Sequence, residues 1–140
     1  MQVLDHDSAQ GVELPQNDSG GWDNVSDEGW KSDWSEFSGA LEGIKDWRAG
    51  SYYFNNLVTN TKGSNIQYGL IAQDVEKQLP GAVSEGISGA VEAIEASEGI
   101  EAVDAVEGKP QKRMQYNKVI PYLVKAIQEL SAKVEALENA

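Results

Sequence analysis

Ser26 and Lys31, in Ser26-Asp27-Glu28-Gly29-Trp30-Lys31, are the pair in this chain whose types suit nucleophilic catalysis. A serine hydroxyl becomes a useful nucleophile when a base removes its proton, and lysine can be that base only as the neutral amine. Burial or a nearby cation favours the neutral form, whereas Asp27 and Glu28 favour the ammonium. On a regular helix, residues five apart lie about 140° from each other around the axis. Ser26 and Lys31 can therefore meet only if Ser26 is extended and Lys31 folds back, or if the pair forms between chains. The plainer alternative is a helix-entry serine followed by surface charges.

Other routes to chemistry are thin. The single histidine, His6, lies between Asp5 and Asp7 in a polar stretch and reads as a surface residue rather than a member of a catalytic triad. There is no cysteine, so neither a disulfide framework nor a thiolate zinc site is available. No Asp/Asn/Gly calcium loop is present, and no metal or cofactor is expected. With 140 residues, a net charge of −12 and a pI near 4.3, the chain suits one modest domain with an appended arm. That charge repels phosphate backbones and anionic lipid, so neither nucleic acid nor membrane is an expected partner. Partners should be proteins, and the absence of a signal-peptide pattern makes the cytoplasm the default place of folding.

The elements that would hold such a pair can be read along the chain. Residues 1–25 are polar and turn-rich and read as a linker or the tail of another structure. A helix is expected after Asp33, where Asp33 and Glu36 have capping-box spacing and Trp34, Phe37, Leu41 and Ile44 share a face. Residues 51–58 and 66–71 read as strands of an antiparallel hairpin about the turn Asn60-Thr61-Lys62-Gly63-Ser64. A short helix over Asp74–Leu79 should stop at Pro80-Gly81, and Arg113–Tyr116 reads as a short strand leading into the last helix.

An insertion at about residues 84–112 contains six triplets, from Val91-Glu92-Ala93 to Val106-Glu107-Gly108, each with a central acid and a final Ala or Gly. A period of three fits neither a helix nor a strand. The charge pattern reads as a solvated acidic insertion; the alternative is an extended arm or distorted hairpin that projects from the body and grips a partner.

The C-terminal helix, expected at about 117–138, carries Tyr116, Ile120, Leu123, Ile127, Leu130, Val134 and Leu137 at alternating spacings of four and three. This is a coiled-coil seam. Ile120, Ile127 and Val134 at one core position, with Leu123, Leu130 and Leu137 at the other, follow the rule for parallel dimers. Val119, Val124 and Ala126 widen the stripe, which suits a trimer or packing on the body.

Gly69-Leu70-Ile71-Ala72-Gln73-Asp74-Val75-Glu76-Lys77-Gln78-Leu79-Pro80 resembles the signature of the intramolecular chaperone of endosialidase family, the self-cleaving C-terminal domains of phage tail fibres, tailspikes and neck appendages. The resemblance extends to Tyr116–Leu130 and to Ser26-Asp27-Glu28 with Lys31, although Gly29-Trp30 stands where the family usually has a basic and an aliphatic residue. It implies an α+β fold of short helices and antiparallel β-hairpins, with a long C-terminal helix forming a trimeric coiled coil. It also implies that residues 1–25 are the end of a fibre stem and residues 26–140 an auto-processing chaperone domain.

By the same resemblance, Ser26 is the nucleophile, Lys31 its general base and Val25-Ser26 the bond cut by this autoproteolytic serine endopeptidase. The partners are two further copies of the chain, making a homotrimer through Ile120, Leu123, Ile127, Leu130, Val134 and Leu137, and the stem of the same polypeptide. The site is the host cytoplasm during phage assembly, and the released domain would be absent from the mature virion. The alternatives are a trimerisation cap that never cleaves, and a receptor-binding tip in which Trp22, Trp30, Trp34 and Trp47 stack on sugars.

Overall fold

The computed structural model describes residues 26–140 in full and, before them, only the antiparallel backbone pairing of β1 (Val12–Glu13) with β2 (Asp23–Asn24). His6, Trp22 and Val25 lie outside the described residues. The chain divides into two compact units, residues 1–36 and 37–140.

The second unit is α+β. In chain order it contains α1 (Ala40–Gly43) continued by a 3-10 turn (Ile44–Asp46), then β3 (Ala49–Asn56) and β4 (Thr61–Leu70). These are followed by α2 (Ala72–Glu76), a 3-10 turn at Pro80–Ala82, β5 (Val83–Ser88), β6 (Lys109–Met114) and α3 (Tyr116–Glu138). β3 pairs antiparallel with β4, and β5 with β6.

The helix expected from Asp33 begins only at Ala40. Asp33 has φ 54°, a left-handed backbone rather than the extended one of a helix N-cap. Gly39, at φ 69°, supplies the turn into α1 from a region that side-chain-bearing residues avoid. The cap comes from far away in sequence. The Glu129 carboxylate on α3 accepts the N–H of Leu41 at 2.8 Å and of Ala40 at 3.3 Å. These bonds, that to Leu41 foremost, hold its carboxyl below the usual range despite partial desolvation.

The core consists of two small clusters bridged by Trp47. Ala40, Tyr122 and Ala126 join α1 to α3, while Val75, Ala82 and Val119 join α2 and the following turn to α3. Trp47 packs on both, stacking on Tyr122 at 5.5 Å between ring centres, and Phe37 meets the same tyrosine edge-on at 5.1 Å. The indole N–H of Trp47 donates to Gln78 Oε1 at 2.7 Å, so this tryptophan has both its apolar body and its polar tip satisfied.

Gly43 is where α1 touches this stack. A Cβ there would collide with the Tyr122 hydroxyl and lie 3.0 Å from Gln78 Cγ. Tyr122 is buried between two aromatic rings and has little room to yield. Gly43→Ala should therefore destabilise the body by about 1–3 kcal/mol as an overpacking change. A thermal melt should show the midpoint lowered by several degrees, and an unchanged midpoint would mean that the ring moves freely.

The β3–β4 hairpin forms as expected, but its turn is Leu57–Asn60, with Asn60 at φ 54°, and Thr61–Ser64, read as part of the turn, already belong to β4. Asn56 Oδ1 accepts from the N–H groups of Val58 and Thr59, which fixes the turn. The register shifts between Tyr53 and Asn55, where residues 63–65 of β4 lie opposite Phe54 alone, an irregularity whose extra residues are on β4.

The triplet segment is an antiparallel arm growing from the β5–β6 pair. Its strands touch at Val91–Val106, Ile94–Val103 and Ser97–Ile100, each pair exchanging two N–H···O bonds of 2.8 to 3.1 Å. A regular ladder repeats such a pair every two residues. Here the repeat is three, so both strands carry an extra residue at each step. Gly99, at φ 79°, closes the two-residue tip, and the acids at the triplet centres are all exposed.

Helix α3 has two differently used sides. Val119, Tyr122 and Ala126 are buried against the body, and Leu123 is partly buried on the Val75–Val119 cluster. Ile120, Ile127, Leu130, Val134 and Leu137 are exposed along the rest of the helix. Part of the apolar widening noticed in sequence thus serves the body: Val119 and Ala126 are core residues.

Candidate functional site

Ser26 and Lys31 lie in the first unit, on an exposed turn. Asp27 is extended (φ −63°, ψ 135°), and its carboxylate accepts the Gly29 N–H at 2.8 Å. Glu28–Trp30 form one 3-10 turn, closed by Trp30 N–H on Asp27 O and Lys31 N–H on Glu28 O, both at 3.1 Å. Lys31 then returns to extended backbone. This is how residues five apart, which would diverge on an α-helix, come together: an extended entry and a single tight turn fold the lysine back. Gly29 suits the turn because any side chain there would meet Asp27 Oδ1 at 3.1 Å, the oxygen that caps it.

The contact is direct. Lys31 Nζ donates to Ser26 Oγ at 2.8 Å and to the Ser26 carbonyl oxygen at 3.0 Å. The same ammonium lies 6.0 Å from the centre of the Trp34 ring. A lysine amine at this distance can take the hydroxyl proton once it is itself neutral. Trp34 was expected on an apolar helix face; no helix forms there and the ring is 76% exposed. Its contact with Lys31 had no sequence signal, because it depends on the turn.

The signature segment does structural work in the second unit. Asp74, 6% exposed, accepts Arg48 Nε at 2.8 Å, Arg48 Nη2 at 3.0 Å and the Arg48 backbone N–H at 3.1 Å. The Arg48 guanidinium and N–H pull its carboxyl down to about 2. Since the folded value lies below the ordinary one, this contribution to stability is complete above about pH 4. It is lost as the pH falls toward 2. Melting curves should therefore show Asp74→Asn destabilised at neutral pH yet less sensitive than the parent to acidification from pH 4 to 2. Equal acid sensitivity would remove Asp74 from this role.

Two further links tie the signature to the rest of the unit. Gly69 leaves room for Tyr116 at the start of α3, whose hydroxyl a Cβ would strike and which accepts the Leu70 N–H at 3.0 Å. Lys112 on β6 bridges Glu85 at 2.7 Å and Glu76 at 3.0 Å, joining the root of the arm to α2. Glu85 and then Glu76 raise the Lys112 amine above its usual value.

Among the described residues, no group of three or more His, Asp or Glu side chains converges as a metal site, and no helix is long and apolar enough to cross a membrane. Of the tryptophans proposed for sugar stacking, Trp47 is committed to the core, while Trp30 and Trp34 are exposed.

An α+β body whose sequence is preceded by a serine–lysine turn defines a small domain with a Ser26–Lys31 contact ahead of its core. The family model described as chaperone of endosialidase, which is also designated a peptidase family, matches residues 26–84, from Ser26 into β5, and over this segment the chain is similar to that family. Helix α3 lies beyond the matched residues. No curated protein matches the chain.

Proposed function

We propose that this chain is a trimerisation and folding chaperone for a phage tail fibre or tailspike, released from it by autoproteolysis at Val25-Ser26. The observation that carries the reading is the 2.8 Å contact from Lys31 Nζ to Ser26 Oγ at the residue where the family match begins. Neutral Lys31 removes the hydroxyl proton as Ser26 Oγ attacks the Val25 carbonyl carbon. The Val25–Ser26 C–N bond breaks as Lys31 returns the proton to the Ser26 amine. An ester then joins the Val25 acyl group to Ser26 Oγ. Water hydrolyses it, leaving a Val25 carboxylic acid, which ionises, and the free Ser26 hydroxyl.

The exposed face of α3 supports the assembly half of the reading. Five large apolar residues along one helix line are exposed, and copies meeting there would bury them. A β-rich stem has many non-local contacts and vulnerable edges while it folds, so joining three chains first lowers the entropic barrier and the aggregation hazard. Cleavage afterwards removes the chaperoned route back, leaving the stem's stability kinetic. The acidic arm is the part that would grip the stem. Assembly would occur in the host cytoplasm, with the released domain absent from the virion.

Denaturing mass spectrometry of the expressed chain tests this directly. The expected result is a fragment beginning at Ser26 together with its N-terminal counterpart; light scattering under native conditions should report three copies. An intact trimer would instead identify a non-cleaving cap, and an intact monomer would remove both halves of the reading.

A further inference from the structure

We infer that Trp34 is a positioning residue that restrains cleavage by holding Lys31 in its charged form. The inference rests on the serine–lysine reading above. An ammonium has three N–H donors and no acceptor. Two of those on Lys31 point at Ser26, one to Oγ at 2.8 Å and one to the main-chain carbonyl at 3.0 Å. The Trp34 ring centre lies 6.0 Å from the same nitrogen, at the outer range of a cation–π contact, for which tryptophan is the strongest aromatic partner.

These contacts favour different states of the lysine. The bond to Ser26 Oγ survives loss of the proton in a reversed sense, because neutral Lys31 can accept from the hydroxyl. The attraction to the indole face does not, since the ring quadrupole acts on positive charge. Trp34 therefore stabilises the state that cannot act as base. Burial does not account for the residue, which is 76% exposed. Anything that draws the indole away, including closure of the turn against another surface during assembly, would release the base. The turn would then be preformed but held back.

The test uses the full chain with Trp34→Leu, which keeps bulk and loses the ring, and Trp34→Phe, which keeps a weaker one. A cation–π contact at an exposed site corresponds to a change of about two- to fivefold in the balance between charged and neutral lysine. Trp34→Leu should cleave about two- to fivefold faster at neutral pH, with the rising limb of its pH–rate profile moved to lower pH and Trp34→Phe in between. A variant that keeps the parent's profile, or loses rate without a displaced profile, overturns the restraint. A second readout does not need cleavage: acylation of Lys31 by a limiting N-hydroxysuccinimide ester, followed by peptide mass spectrometry, comparing Ser26→Ala with Ser26→Ala/Trp34→Leu. Faster labelling without Trp34 supports the restraint even if the parent never cleaves, in which case only the peptidase reading falls. Equal labelling rejects the restraint whatever the parent does.

Discussion

Replacing Ile127 and Leu130 together by aspartate should leave a folded body that no longer associates. In the isolated chain the two side chains are 66% and 47% exposed, so carboxylates there remain solvated and disturb little of the core. In a coiled coil they would be enclosed. Each helix would lose about 1.5–3 kcal/mol of apolar burial per residue, and every aspartate would also face desolvation. Counted over three helices, association should weaken by more than about a thousandfold. Light scattering should give the mass of one chain, with circular dichroism and the melting transition of the body retained. Ala126→Asp provides the contrast, because Ala126 lies on the buried side with Ala40 and Tyr122. That variant should lose the body itself. If Ile127→Asp/Leu130→Asp still forms the parent's oligomer, the exposed face is not the interface and the coiled-coil reading fails.

The two sides of α3 show what periodicity can and cannot carry. The sequence stripe located a helix and its apolar positions, because heptad spacing depends on local geometry alone. It did not separate the residues used by the body from those left over. Val119 and Ala126 look like broadening of the seam until α1 and α2 are present to cover them. The parallel-dimer rule considers the seam as if it had no neighbouring core, and Leu123, at one of its core positions, packs partly on that core.

The hairpin was legible for a similar reason: Asn60 and the flanking β-formers carry their own turn and strand chemistry. The beginning of α1 was not. The capping-box spacing of Asp33 and Glu36 pointed to a local start, but Asp33 is left-handed and the effective cap is Glu129, on another helix. No window of sequence contains both partners of that cap. The acidic triplets lie between these cases. Their apolar members are mirror-symmetric about Glu98-Gly99, so that Val91 meets Val106 and Ile94 meets Val103. That symmetry is present in the sequence, although it becomes a pairing only when the segment is folded about Gly99. At the candidate site, residue types suggested Ser26 and Lys31, while their meeting required a 3-10 turn that α-helical geometry does not predict.

Ser26→Ala should yield only full-length chain under conditions where the parent gives a fragment beginning at Ser26, and Lys31→Arg should do the same for a different reason. Alanine removes the oxygen that attacks. Arginine keeps a positive charge within reach of Ser26, so it can preserve the contacts to Oγ and the carbonyl, yet it does not give up its proton at any ordinary pH. The pair of variants thus separates a structural lysine from a basic one. If Lys31 only pins the turn, Lys31→Arg should cleave at nearly the parent's rate. If it is the general base, cleavage should slow by about 10²–10⁴-fold, while the thermal melt of the body stays unchanged, since Lys31 is exposed and belongs to the unit of residues 1–36. Raising the pH should speed the parent by increasing the neutral amine and should leave Lys31→Arg without that response. Denaturing mass spectrometry over a time course reads both effects, and a parent-like rate in Lys31→Arg would exclude Lys31 as the base while leaving Ser26 as a nucleophile in need of another one.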